Sequence, residues 1–341
     1  MSKIKGMLRK LNILLLAAFV SSLTVTSCSI KDDYDDCGVW LEFIFDYNME
    51  FGDVFEAQID MVDVYVFDAD GKFLFRKHSH TDDLSGRKRM FLSDGLSFGR
   101  YQIIAVGGFS RHFTFSDREW HDFVPGETSI EEATLSLNRR SEIVDFEFPH
   151  VWYAPAMNID YKADNSVWPV RFIRETNKFS LVLESNESIP AGGESDEVPF
   201  TFEITAPEGG FYDYRNDPIL DERVTYKPYS LAKGEAPMNL AAGKLNTMRL
   251  LSDYGEEYRL IVRATATGQV VWDYDLLTLL KYTMPDDRPQ IGFQEYLDRQ
   301  GFWNIVILHK GGPIPEPSGS GFVALRISVN GWIIWLNEIE A

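Results

Sequence analysis

Cysteine is nearly absent: the 341 residues contain only Cys28 and Cys37. Two cysteines cannot build the disulfide framework of a small secreted scaffold. Long apolar runs are missing too. The nearest, residues 11–20 (LNILLLAAFV), has ten positions, whereas a membrane-spanning helix needs about 20. Positive charge is scarce: 33 basic residues face 52 acidic ones, for a formal charge of −19. That balance excludes nucleic acid as a main partner, because phosphate binding rests on clustered Lys and Arg. Arginine is missing altogether between Cys28 and Arg76, where the only lysines are Lys31 and Lys72. The chain has no Gly-x-Ser-x-Gly elbow, P-loop, His-Glu-x-x-His or Gly-x-Gly-x-x-Gly. What is present is an ordinary globular composition, 45% hydrophobic and 14% aromatic. It rules out wholesale disorder, and the length suggests two domains at about 100–200 residues each.

The first 27 residues read as a leader. Lys3, Lys5, Arg9 and Lys10 form a positive head, the ten-residue apolar run follows, and small polar residues end at Ser27-Cys28. This is the pattern of a secretory signal. Val25-Thr26-Ser27-Cys28 resembles the lipobox of bacterial lipoproteins. The resemblance implies cleavage after Ser27 and acylation of Cys28, and two or more acyl chains hold a protein stably on a membrane. Loss of 27 residues and their four positive charges leaves 314 residues at −23. Residues 28–38 then form a short acidic tether (Asp32, Asp33, Asp35, Asp36). An acidic stretch after the lipidated cysteine resembles the surface-export signal of Bacteroidota lipoproteins; composition alone also fits a solvated linker. Cys37 is left without an intrachain partner and reads as a small buried hydrophobe or a free thiol.

The remaining pattern is mainly β. Residues 39–47 (VWLEFIFDY), 61–67 (MVDVYVF), 72–75, 90–92 and 101–106 read as strands, with a hairpin turn at Asp68-Ala69-Asp70-Gly71. Residues 132–137 and 143–148 read as a pair joined at Asn138-Arg139-Arg140. Further strands fall at 179–183, 199–204, 224–226, 247–251, 258–264 and 302–308, with short helices at 274–282 and 292–299. Short strands at this spacing indicate β-sandwiches rather than βαβ units. We place the domain boundary within 170–177, giving an N-terminal sandwich over 39–175 and a C-terminal one over 176–341. Near the end, residues 311–321 (GGPIPEPSGSG) read as a linker. Two apolar runs, 322–329 and 332–339, flank Asn330-Gly331, a strong hairpin signal. The chain is thus expected to end in an apolar hairpin that the linker separates from the body.

The search for chemistry yields little. Asp68-Ala69-Asp70-Gly71 lacks the third Asp/Asn and the distal Glu of a calcium loop. His78 and His80 share a strand face but suggest no third zinc ligand. Carboxylates are plentiful, yet no pair at glycosidase separation can be read from sequence. The eight Trp suit a core better than sugar platforms. No catalytic set, metal or cofactor is expected, and the chain reads as a non-enzyme.

Several stretches, taken in order, resemble the FimB-like fimbrial anchor lipoproteins of Bacteroidota: Cys28; Phe45-Asp46-Tyr47-Asn48; residues 64–73 (VYVFDADGKF); residues 99–105 (GRYQIIA); Glu295-Tyr296-Leu297-Asp298-Arg299; and Val329-Asn330-Gly331-Trp332. The resemblance implies two consecutive transthyretin-like or immunoglobulin-like β-sandwich domains on a surface-facing outer-membrane lipoprotein. It implies a fimbrial stalk subunit (pilin) as partner, bound by β-strand complementation. Stalk subunits of this superfamily polymerise after a protease removes their first strand. With no Arg between Cys28 and Arg76, an Arg-directed protease could not remove the first strand here and leave the second intact, which suits an anchor. The apolar segment Trp332, Ile333, Ile334, Trp335, Leu336 is a candidate donor strand, since a strand added to an open sheet gains main-chain hydrogen bonds. The alternative, which the residues favour, is that this hairpin closes its own second domain. The competing reading is a surface glycan-binding β-sandwich lipoprotein.

Overall fold

A computed structural model describes residues 38–84, 88–162, 165–186, 197–219, 223–233, 239–285, 291–310 and 323–335. The leader, Ser27, Cys28, Cys37, the tether before Gly38, the linker and Leu336 lie outside the described residues. In the first half the strands are β1 (Val39–Ile44), β2 (Met61–Phe67), β3 (Phe73–His80), β4 (Arg89–Phe91), β5 (Gly99–Gly107), β6 (Phe113–Ser116), β7 (Thr134–Leu137), β8 (Ile143–Val144), β9 (Trp152–Tyr161), β10 (Ser166–Arg171) and β11 (Ile173–Arg174). In the second they are β12 (Thr176–Ser185), β13 (Phe200–Ala206), β14 (Phe211–Asp213), β15 (Val224–Tyr226), β16 (Ser230–Ala232), β17 (Asn239–Met248), β18 (Arg259–Ala264), β19 (Val270–Asp275), β20 (Phe302–Lys310), β21 (Val323–Val329) and β22 (Trp332–Trp335). Short α-helices are α1 (Phe55–Gln58), α2 (Leu276–Lys281) and α3 (Phe293–Arg299). Among the described residues no helix is long and apolar enough to cross a membrane.

The mainly β, two-sandwich fold is present. In the first half, sheet β10-β1-β4 faces sheet β11-β9-β5-β2-β3. Val39, Leu41 and Phe43 of β1 pack with Val62, Val64 and Val66 of β2 in one core. The alternate residues of β2, Tyr65 and Phe67, enter a second core with Phe113, Phe115, Leu135 and Leu137. The five-stranded sheet is therefore a middle layer, covered on its far face by the small sheet β14-β7-β6. This is why residues 61–67 read as nearly continuous apolar sequence: side chains alternate across a strand, and both faces here need apolar residues.

In the second half, sheet β16-β17-β12-β20-β21-β22 faces sheet β19-β18-β13-β15-β8. Trp303, Ile305 and Ile307 of β20 meet Phe202, Ile204, Leu260 and Val262 in the same continuous core that includes Tyr65 and Phe67. Two elements cross between the halves. β8 pairs in parallel with β15, and β14 pairs antiparallel with β7. The expected pairing of 132–137 with 143–148 is therefore not formed: β7 joins β6 and β14 while β8 joins the other sandwich. The terminal hairpin pairs within its own sandwich, the self-closing alternative read from the sequence. It is built into the body, because β21 pairs antiparallel with β20 along Ile305↔Val329 to Lys310↔Val323.

Candidate functional site

The features with functional content are the two chain ends and the joint between the sandwiches. At the amino end, β1 lies in the centre of its sheet. It pairs in parallel with β10 over six positions and antiparallel with β4 over three. Gly38 N–H donates to Asn165 Oδ1 (2.7 Å) and Val39 N–H to Ser93 Oγ (2.6 Å). A pull on the residues before Gly38 therefore shears a fully paired, buried strand rather than peeling an edge.

The loop after β1 is held by the second sandwich. Arg299, at the end of α3, donates to the carbonyls of Asp46 and Asn48 (3.0 Å each). Its guanidinium lies 4.4 Å from the Tyr47 ring centroid and 4.5 Å from that of Phe51. Glu295 one turn earlier orients it through a 2.7 Å bond. The neighbouring Asp298 accepts two bonds from Arg249 (2.7 and 2.8 Å) and one from Gln294 (2.8 Å). Phe45-Asp46-Tyr47-Asn48 and Glu295-Tyr296-Leu297-Asp298-Arg299, some 250 residues apart, thus form one clasp. Sequence spacing carries no signal of this contact.

At the carboxyl end, Asn330 (φ 49°) and Gly331 (φ 86°) make the turn between β21 and β22. Positive φ at both central residues is the hairpin geometry that Asn-Gly favours. Asn330 Oδ1 accepts from Asn304 N–H (2.8 Å), which ties the turn to β20. The donor candidates differ in burial. Ile334, opposite Ile327, is buried; Trp332 and Ile333 are each 55% exposed. Trp335 pairs with Arg326. Among the described residues β22 is an outer strand of its sheet, paired on one side. Some other outer strands carry residues that blunt an edge, Pro169 in β10, Arg76 and Lys77 in β3, Asp273 and Asp275 in β19, while the shorter β6 (FTFS), β8 (IV) and β16 (SLA) do not. β22 (WIIW) carries neither charge nor proline.

The candidate metal residues are structural. Asp68 Oδ1 accepts from Asp70 N–H (2.9 Å) and Lys72 N–H (2.8 Å), which closes the hairpin turn. His78 Nδ1 lies 2.9 Å from the buried Asp63, which also binds Arg76. His80 packs edge-on against His78. Among the described residues no three His, Cys, Asp or Glu are grouped as metal ligands.

These features define a two-sandwich β protein with an enclosed first strand and, among the described residues, a last strand paired on one side. The family model of fimbrillin-A associated anchor proteins Mfa1 and Mfa2 matches residues 34–338, and the chain belongs to that family. The minor fimbrium anchoring subunit Mfa2 of Porphyromonas gingivalis is 25% identical, over the whole of both chains. A solved structure of a candidate adhesin from Bacteroides ovatus is 40% identical, with a TM-score of 0.78 over 91% of this chain and 98% of that one. A candidate polysaccharide-binding protein from Bacteroides thetaiotaomicron is 27% identical, with a TM-score of 0.74 over 90% of this chain and all of that one. The Porphyromonas gingivalis fimbrial anchor Mfa2 structure has a TM-score of 0.64 at 19% identity, covering 87% of this chain and 98% of that one, a likeness of fold.

Proposed function

We propose that this chain is an outer-membrane lipoprotein that anchors a fimbrial fibre, or limits its length, and performs no catalysis. Cleavage after Ser27 leaves Cys28 to carry the acyl chains. The acidic tether, residues 28–38, holds the body off the outer face of the membrane. Residues 39–175 and 176–341 act as the two units between membrane and fibre. A pilin is bound at the far end by strand pairing along β22. The observation that carries this reading is the uncharged open edge at Trp332 and Ile333, set against a first strand enclosed on both sides. An added strand would pair its backbone with β22 and cover the exposed side chains. The work is mechanical: tension enters at Cys28, passes through β1 and the Arg299 clasp, and leaves through β20, β21 and β22.

The test is co-purification from piliated cells with the detergent-solubilised lipoprotein as bait. The wild-type chain should recover pilin. Ile333→Lys places a charge on the edge and should cut that recovery about tenfold, a loss of ~1.4 kcal/mol in binding. Undiminished recovery with Ile333→Lys would show that the fibre attaches elsewhere. Recovery of no pilin by the wild-type chain would remove the anchor reading itself.

A further inference from the structure

A second feature is independent of either chain end. A cavity of about 380 Å³ opens between β3, β6 and the segment 109–123, within the ~300–1,000 Å³ typical of small-ligand sites. Its wall is aromatic. Tyr65 lies 4.5 Å from Phe115 and 5.4 Å from Phe123, and Phe123 lies 5.2 Å from Phe73. Two charged side chains line the same space. Arg76 is 47% exposed, yet it is fixed. Its Nε donates to Asp63 Oδ1 (2.8 Å), its Nη2 lies 2.7 Å from the same oxygen, and its guanidinium lies over the Tyr65 ring. Asp63 is 1% exposed, so a buried carboxylate orients a solvent-facing guanidinium. Asp122 is exposed and near enough to act on Arg76 electrostatically, but forms no ion pair with it.

The combination limits what fits. A simple anion would be repelled by Asp122, and a simple cation would meet that one carboxylate while leaving the exposed side of the Arg76 guanidinium without an acceptor. A wholly apolar side chain would strip water from both charges and return no hydrogen bond. A neutral sugar ring offers C–H groups for an aromatic face and hydroxyls that both donate to a carboxylate and accept from a guanidinium. We propose that this cavity binds a single neutral pyranose unit of a glycan. The ring lies against Phe123 while its hydroxyls bridge Asp122 and Arg76. Because Arg76 is already held by Asp63, little ordering cost remains at binding.

The test is saturation-transfer NMR on the detergent-solubilised full chain with the methyl glycosides of glucose, galactose and mannose as probes. At least one glycoside should receive saturation. Asp122→Asn, a surface change, should weaken it about tenfold with an unchanged melting temperature. Phe123→Leu should weaken it as well, while Ile333→Lys should leave it intact, which separates this site from the fibre edge. Absence of transfer to all three glycosides overturns the proposal. Transfer that survives both Asp122→Asn and Phe123→Leu overturns it too.

Discussion

Glu175 is fully buried at the crossing from β11 to β12, where its Oε1 accepts from Asn216 Nδ2 at 2.8 Å. Burial pushes its carboxyl up to about 7, against the pull of Arg249 and the Asn216 bond. The folded pKa lies above the unfolded one, so between about 4.5 and 7 the folded chain keeps a proton that the unfolded chain has lost. Stability from this group is present at low pH and is lost as pH rises through that window. Glu175→Gln should therefore stabilise the protein by on the order of 1–3 kcal/mol near pH 8 and by much less near pH 5. Urea unfolding at both pH values checks this; an equal gain at both would contradict it. His150 works in the opposite sense. Burial, then the charges of Arg174 and Lys178, push it down to about 3. Its contribution is therefore lost as pH falls from about 6.5 toward 3. Neither group was legible in the sequence. Residues 170–177 read as a boundary, and a boundary ordinarily implies exposed charge; Glu175 is buried because two sandwiches close over it.

At the scale of elements, the long apolar strands were legible and the irregular ones were not. β2, β5, β12 and β20 announce themselves by β-branched and aromatic runs. β9 and β10 do not, because Pro155 and Pro169 argue against a strand. The structure accommodates both. The β5–β9 register skips between Ile103 and Ala105, which places Pro155 at an irregularity, and β10 is an outer strand. Short α3 was legible, but its role was not, since the groups that Arg299 holds lie in the other half of the chain. Arg299→Ala removes two charge-assisted bonds to carbonyls and the stacking on Tyr47 and Phe51. It should cost about 2–4 kcal/mol in urea unfolding. Arg299→Lys should recover less than half of that, because an ammonium cannot reproduce the planar fork. Full rescue by Lys would show that charge alone holds the clasp.

At the scale of the molecule, one continuous core includes Tyr65 and Phe115 from the first half and Trp303 and Ile327 from the second. β8 and β14 each pair across the halves. The chain should therefore melt in a single calorimetric transition whose van't Hoff and calorimetric enthalpies agree. Two resolved transitions would contradict that coupling. Such a body suits a role in which force enters at one end and leaves at the other. The terminal hairpin was visible in the sequence through its Asn330-Gly331 turn. The integration of the hairpin with β20 was not, because a Gly/Pro/Ser linker hides which strand lies beside it.

In the proposed function, lipid at Cys28 and the edge at β22 together hold fibres to the cell. This role is tested most directly by replacing the wild-type chain in piliated cells with Cys28→Ala and measuring fibres on cells and in the medium. The variant is expected to leave the membrane fraction and fibres to be shed with it. Fibres retained on cells at the wild-type level, with the variant soluble, would contradict this role.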